Sequence, residues 1–227
     1  MEYRTKEEQV ADHLREAILS GRLARGTRLK QAEIAEQLQI SITPVREALR
    51  LLEAEGYIDS RSYKGATVVP FDIGASSEIL NLRILLEGQL VRYAAERATT
   101  QDLQDIRRLA DEFAAAATNR DSAAARGANY RFHRRMYDAA KAPQTLHFVQ
   151  ILWARYPFDL INRLKGRVSR AAEEHDDVLR AFIAQDAAAA MLATRQHIEA
   201  GWQELHDSLR PSAEILDFTQ TPERSRA

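Results

Sequence analysis

The sequence predicts a mainly α protein: an N-terminal winged helix-turn-helix with a small β wing, followed by a C-terminal antiparallel all-α helical bundle. Three observations predict it. Over residues 29–69, apolar positions change from helical spacing to two short β-like runs around a glycine turn. From about Ser76 to Leu209 the apolar positions keep helical spacing, with no β alternation. Between the two regions Pro70 and Phe71-Asp72-Ile73-Gly74 interrupt both patterns, the expected boundary. The chain therefore divides into residues 1–72, residues 73–210 and an aperiodic tail, 211–227, expected to be flexible.

The elements follow in order. Thr5-Lys6-Glu7-Glu8 is a capping box, and Val10, Leu14, Ala17 and Ile18 continue at helical spacing to Gly21. A basic, glycine-containing loop leads to Lys30. Ile34, Ala35 and Leu38 make one face of a short helix, broken at Gln39-Ile40-Ser41. Val45, Ala48, Leu49 and Leu52 form the inward stripe of the next helix. Ser41 or Thr43 is the expected cap, and Pro44 is tolerated in the first turn. Gly56 stops that helix. Tyr57-Ile58 and Thr67-Val68-Val69 flank Ser62-Tyr63-Lys64-Gly65 as a hairpin. The remainder reads as helices over 76–98, 101–118, 121–140, 144–163, 167–185 and 187–209, with Pro157 kinking or splitting the fourth. A bundle of that size can bury a core of its own.

Composition excludes several classes. The 227 residues carry a net charge of −1 and no cysteine, so disulfides and thiolate metal sites are absent. Residues 1–72 hold 11 basic and 12 acidic side chains, so positive charge is local: Arg22, Arg25, Arg28 and Lys30 in one stretch, Arg61 and Lys64 at the wing. A local patch suffices for phosphate contacts. No apolar run reaches the roughly 18–20 residues of a membrane span. The first residues carry no signal-peptide pattern, so a cytoplasmic protein without membrane contact is expected.

The inward stripe of the 42–54 helix leaves Ser41, Thr43, Arg46, Glu47 and Arg50 at the outer surface. Arg46 and Arg50 are i, i+4 neighbours that can reach phosphates or a guanine edge together, or form a solvated helix face. The run SITPVREALRLLEAEGYI followed by KGATV resembles the DNA-binding domain of the GntR family of bacterial transcription regulators. The resemblance implies operator contact through Ser41, Thr43, Arg46, Arg50, Lys64 and Gly65. Two positions depart from it, Ile42 and Ala32, where many relatives carry arginine.

Of six histidines, three fall into a pattern. His133 is four residues after Asn129, on one helix face; His175 and His197 each lie 11 residues from Asp186. If the last two helices turn there, both imidazoles sit at one level, about 16 Å from the turn. Three such nitrogens can hold one divalent cation or form a satisfied polar core; His13, His147 and His206 are ordinary. Imidazole suits zinc, nickel, copper or iron, and zinc or nickel is expected. NYRFHRRMY, SRAAEEHDDVLRAFIAQD and MLATRQHIEA resemble the FCD effector domain of the FadR-type branch, in its six-helix, VanR-like variant. The resemblance implies a metal on Asn129, His133, His175 and His197, with Asn129 in place of the carboxylate version. It also implies a small carboxylate effector held by Arg83, from ILNLRILLEGQL; an ion pair of Arg83 with Glu87 is the competing role. Arg134, Tyr137, Tyr156 and Arg163 are further candidates without a motif.

The expected function is thus a DNA-binding regulator and not an enzyme. It would be a repressor acting as a homodimer on palindromic operator DNA and answering a small carboxylate at the metal. Two alternatives stand beside it: a metal-dependent hydrolase fused to a DNA-binding domain, and a regulator whose metal is purely structural. Against the hydrolase, no HExxH, nucleophile elbow or phosphate loop is present.

Overall fold

The computed structural model describes residues 5–60, 66–71, 76–161 and 164–209. Lys64 and Gly65 at the wing tip, Arg61, Arg163 and the tail lie outside them. The order is α1 Lys6–Leu19, α2 Gln31–Gln37, α3 Ile42–Ala54, β1 Ile58–Asp59, β2 Thr67–Val68, α4 Ser76–Arg97 and α5 Thr100–Thr118. It continues with α6 Ser122–Asp138, α7 Pro143–Ala154, α8 Phe158–Ile161, α9 Arg167–Ile183 and α10 Ala187–Leu209. Among the described residues no helix is long and apolar enough to cross a membrane.

Local chemistry accounts for the ends. The Thr5 hydroxyl accepts from the Glu8 amide while the Glu8 carboxylate accepts from the Thr5 amide, closing the capping box. Ser41 is the N-cap of α3, but neither it nor Thr43 supplies a side-chain cap bond, which corrects that expectation. Pro44 is the third helical residue, where its missing N–H has no intrahelical acceptor to lose. Gly56, at φ 83°, terminates the turn after α3. Pro157 splits the fourth bundle helix into α7 and α8.

β1 and β2 pair antiparallel, Ile58 against Val68 and Asp59 against Thr67. The basic loop is better ordered than its sequence suggests. It runs along the free side of β2, with the Leu29 amide donating to the Ala66 carbonyl at 2.8 Å and the Val68 amide to Thr27 at 3.0 Å. Arg22 and Lys30 pair with Glu16 and Glu33. Arg25 reaches away from the wing face, donating to the carbonyls of Val69, Ala154 and Tyr156 at 2.9–3.1 Å. It therefore ties the wing to the end of α7.

The helical region is layered around α4, α6, α9 and α10. α5 packs on α6 and α9, and α10 on α4 and α9. Where α5, α6 and α9 cross, the core consists of Phe113, Ala116, Ala125, Ala128 and Ala171, and the small side chains permit close approach. The main core is continuous with the winged region: Val10, Leu14, Val45, Leu52, Tyr57 and Val68 share one apolar cluster with Leu90, Tyr130, Met136, Trp153 and Phe182. α1 docks on α6 through Glu16–Arg131 at 2.7 Å, Asp12–Arg134 at 3.4 Å and the Arg126 contact with the Ser20 carbonyl. Gly127 makes this docking possible, since a Cβ there would stand 2.9 Å from the Glu16 carboxylate.

Candidate metal centre and nucleic-acid interface

α6, α9 and α10 each bring one imidazole to a common point. α6 starts on Asp121, whose carboxylate accepts from the Ala123 and Ala124 amides, and buries Phe132, His133, Met136 and Tyr137. α9 buries His175 within its Ala171, Val178, Leu179 stripe. The α9–α10 turn at Gln185 and Asp186 sets His197 opposite, as equal offsets from Asp186 require.

The nitrogens of His133, His175 and His197 all lie within 4.8 Å of one another. The Nε2 atoms of His133 and His175 are 3.1 Å apart. Two nitrogens bound tetrahedrally at 2.0–2.1 Å to one cation stand about 3.3 Å apart, so the spacing fits shared coordination. The Nδ1 atoms of His133 and His175 are buried without a hydrogen-bond partner among the described residues. His175 is walled by Phe113 and Phe132, whose ring centroids lie 4.6 and 4.5 Å from its own.

Burial pushes His133 and His175 well below the usual imidazole range; His197 and Arg167 add to both, Arg83 to His133, and His133 to His175. His197 is also lowered by burial, with Glu174 acting in the opposite direction. All three are neutral at pH 7, as metal ligands must be.

Sequence reasoning missed the residues behind them. Glu174 accepts from His197 Nδ1 at 2.6 Å, which leaves His197 Nε2 for the cluster. Arg167, almost fully buried, clasps Glu174 through two bonds of 2.6 and 2.5 Å and reaches Glu204 at 3.3 Å. Burial would raise the Glu174 carboxyl, but Arg167 and His197 outweigh it and hold it at about 2. Glu174 stands in the acidic run Glu173-Glu174-His175-Asp176-Asp177, where nothing marks it from its neighbours.

Asn129 is half-buried one turn before His133, and lines a small cavity with Leu19, Arg126, Tyr130, His133, Trp153 and Phe158. Arg83 is buried and bonded to Glu87 at 2.6 Å, the competing role named for it. Glu87 also accepts from Tyr137 at 2.8 Å and Trp153 at 3.0 Å. The Arg83 guanidinium lies 4.0 Å over the Tyr156 ring and 4.7 Å over Phe158. Arg134 is engaged by Asp138 and Asp12. His13, His147 and His206 are exposed.

At the other end, α3 presents Arg46 and Arg50 with side chains 49 and 68 % exposed, so both are available to a polyanion. Glu47 sits between them, at 3.2 Å from Arg46 and 3.0 Å from Arg50, and both hold its carboxyl below the usual range. Ser41 and Thr43 are exposed on the same leading edge. Ile42 there is 50 % exposed, so its methyls face outward rather than into the core.

Comparison with known proteins agrees with this two-part organisation. Residues 6–68 match the family model described as bacterial regulatory proteins, gntR family, and residues 78–200 match the FCD domain. The "Exu regulon transcriptional regulator" of Escherichia coli (strain K12) is 28% identical over 95% of this chain and 92% of its own length. The "HTH-type transcriptional regulator McbR" of the same organism is 30% identical over 78% of this chain and 82% of its own. The "Probable D-xylose utilization operon transcriptional repressor" of Paenarthrobacter nicotinovorans is 30% identical over 85% of each chain. The solved structure of E. coli McbR/YncC superposes with a TM-score of 0.77 at 25% identity, covering 91% of this chain and 99% of that one. The two family matches and the named relatives define the class as a transcription regulator rather than an enzyme. The chain belongs to the GntR family of bacterial regulators, in the FadR-type branch that carries an FCD domain.

Proposed function

We propose that the chain is a cytoplasmic, homodimeric repressor whose hold on a palindromic operator is set by a small carboxylate at a zinc or nickel ion in the helical body. Residues 1–72 contact DNA, 73–210 sense and dimerise, and 211–227 form a tail. The observation that carries the effector reading is the convergence of His133, His175 and His197, neutral and buried, on three different helices. Asn129 lines the cavity beside His133 and supplies the amide oxygen of the set. Arg83 is the cation for the rest of the acid, exchanging Glu87 for it. Glu87 already meets Tyr137 and Trp153, and Arg83 the Tyr156 ring, so such an exchange disturbs the joint between α7 and Arg25.

On DNA, Ser41, Thr43, Arg46 and Arg50 serve the major groove, and Lys64 and Gly65 of the wing serve the adjacent minor groove or the backbone. Ile42 puts a methyl surface where relatives place a cation, a group that favours a thymine methyl over a guanine.

The test combines metal analysis with operator titration. Purified protein, stripped and reloaded, should hold close to one ion per chain, and His133→Ala or His197→Ala should lose it. Binding to the fragment upstream of its own gene should weaken with a matching carboxylate only when metal is present. Arg46→Ala should lower operator affinity by about 1–3 kcal/mol. Failure to take up zinc or nickel removes the carboxylate reading. A metal that raises thermal stability without altering the response makes it structural.

A further inference from the structure

A cleft of about 480 Å3 opens where the winged region meets the helical body. Small-molecule sites typically measure roughly 300–1,000 Å3, so an organic ligand fits there without rearrangement. The cavity beside His133, at about 20 Å3, has room for about one water. The last turn of α3, the wing, the start of α4 and the end of α7 all contribute walls to the larger cleft.

Its lining divides by chemistry. Ile58 and Ile79, 2 and 6 % exposed, make an apolar floor, and Ile151 is a half-buried apolar side. Four charged side chains line the rest, and two of them are already answered. Glu55 is paired with Arg15 at 2.6 Å, and Asp59 has a partner of its own. Glu53 and Arg155 are exposed, and neither makes an ion pair among the described residues. Glu53 accepts from the Ser60 amide at 3.1 Å through one oxygen, which leaves the other free. The Arg155 guanidinium extends from the end of α7 toward the turn after α3, where a Cβ on Gly56 would stand 3.7 Å from its Nε. One acid and one base therefore remain uncompensated above an apolar floor.

We infer that this cleft is a second ligand site, for a free amino acid with a large apolar side chain. The carboxylate of such a zwitterion accepts paired N–H bonds from Arg155, and its ammonium donates to the free oxygen of Glu53. The side chain then covers Ile58, Ile79 and Ile151 and removes them from water. A plain carboxylic acid would leave Glu53 facing a like charge, and a plain amine would leave Arg155 unanswered, so both are selected against. Glu53 belongs to α3 and Arg155 to α7, so the bound amino acid braces the reading helix against the helical body beside the Arg25 contacts. Operator binding thereby gains an input separate from the imidazoles, a consequence that rests on the DNA-reading role of α3.

Calorimetric titration of the full chain with L-leucine, L-phenylalanine and L-tryptophan tests it. At least one should bind saturably, one per chain, and raise the melting temperature. Glu53→Gln, which keeps an acceptor for Ser60, and Arg155→Ala should each weaken that binding about tenfold or more, and Ile151→Trp, which fills the cleft, should abolish it. Phenethylamine and hydrocinnamate, which each lack one of the two charges of phenylalanine, should bind at least about tenfold more weakly than the amino acid itself. The affinity should be the same before and after metal stripping and in His133→Ala, so failure of the metal reading leaves this one intact. No saturable binding of any of the three amino acids overturns the site. Binding lost in His133→Ala but kept in Arg155→Ala and Ile151→Trp places the ligand at the imidazoles and overturns it equally. Binding at the cleft that leaves the operator Kd unchanged overturns the regulatory consequence and leaves the site standing.

Discussion

Glu87 concentrates three buried bonds on one carboxylate, from Arg83, Tyr137 and Trp153. Breaking a buried pair by removing one partner leaves the other charge stranded in low dielectric, and the usual cost is about 3–5 kcal/mol. Glu87→Ala should therefore lower unfolding stability by that order in urea titration, and Arg83→Met added to it should recover most of the loss. Asp102 is a second informative carboxylate. Burial raises its pKa, but the Thr99 backbone bond and Arg135 at 2.6 Å bring it to about 2, against an ordinary value of 3.8. Its folded pKa is depressed, so the stability it contributes is fully present above about pH 4 and disappears as pH falls toward 2. Asp102→Asn should flatten stability against pH in that window, measured by thermal melts from pH 5 to 2. At this scale much was illegible in the sequence. Arg25 and Arg46 are the same residue type in similar polar surroundings, yet one binds carbonyls across the joint and the other faces outward. Glu174 is hidden for the same reason, because only folding distinguishes the acid that faces His197 from those that face water.

Elements were far more legible, because periodicity is a property of one chain segment and needs no partner to be seen. The helices from α4 to α10 begin and end within a few residues of the sequence expectation, and the Pro157 break lies where the missing amide requires it. The equal spacing of His175 and His197 from Asp186 needed only helix geometry and a tight turn. What the sequence concealed is how several turns are made. Gln39, Arg120, Lys141 and Gln185 hold left-handed backbone, at φ 51–58°, without a glycine to announce it. A side chain in that region costs roughly 1–2 kcal/mol, offset in part by the lower entropy of its unfolded state. Lys141, exposed after α6, is the simplest to relieve: Lys141→Gly should raise stability by about 0.5–1 kcal/mol, seen as a higher melting temperature. A fall instead would mean that the lysine stem contributes packing at that turn.

For the molecule as a whole, the continuous core matters more than the boundary between halves. Apolar side chains from α1, α3 and the wing share one cluster with those of α4, α6, α7 and α9, and three ion or hydrogen-bond contacts join α1 to α6. Calorimetry should therefore record one transition with matching calorimetric and van't Hoff enthalpies, not two separated peaks. The packed joint also leaves little slack, so a displacement at His133 is felt at α1 through the same helix. The imidazole cage has a further consequence, because it carries no net charge. Its three rings are neutral, Arg83 is cancelled by Glu87, and Arg167 by Glu174. A divalent cation admitted there would bring its whole charge into dry surroundings, and an acid admitted there would bring the opposite. Each then makes the other's entry easier, by the same factor in both directions. The threshold at which such a cell notices the acid would move with its supply of trace metal.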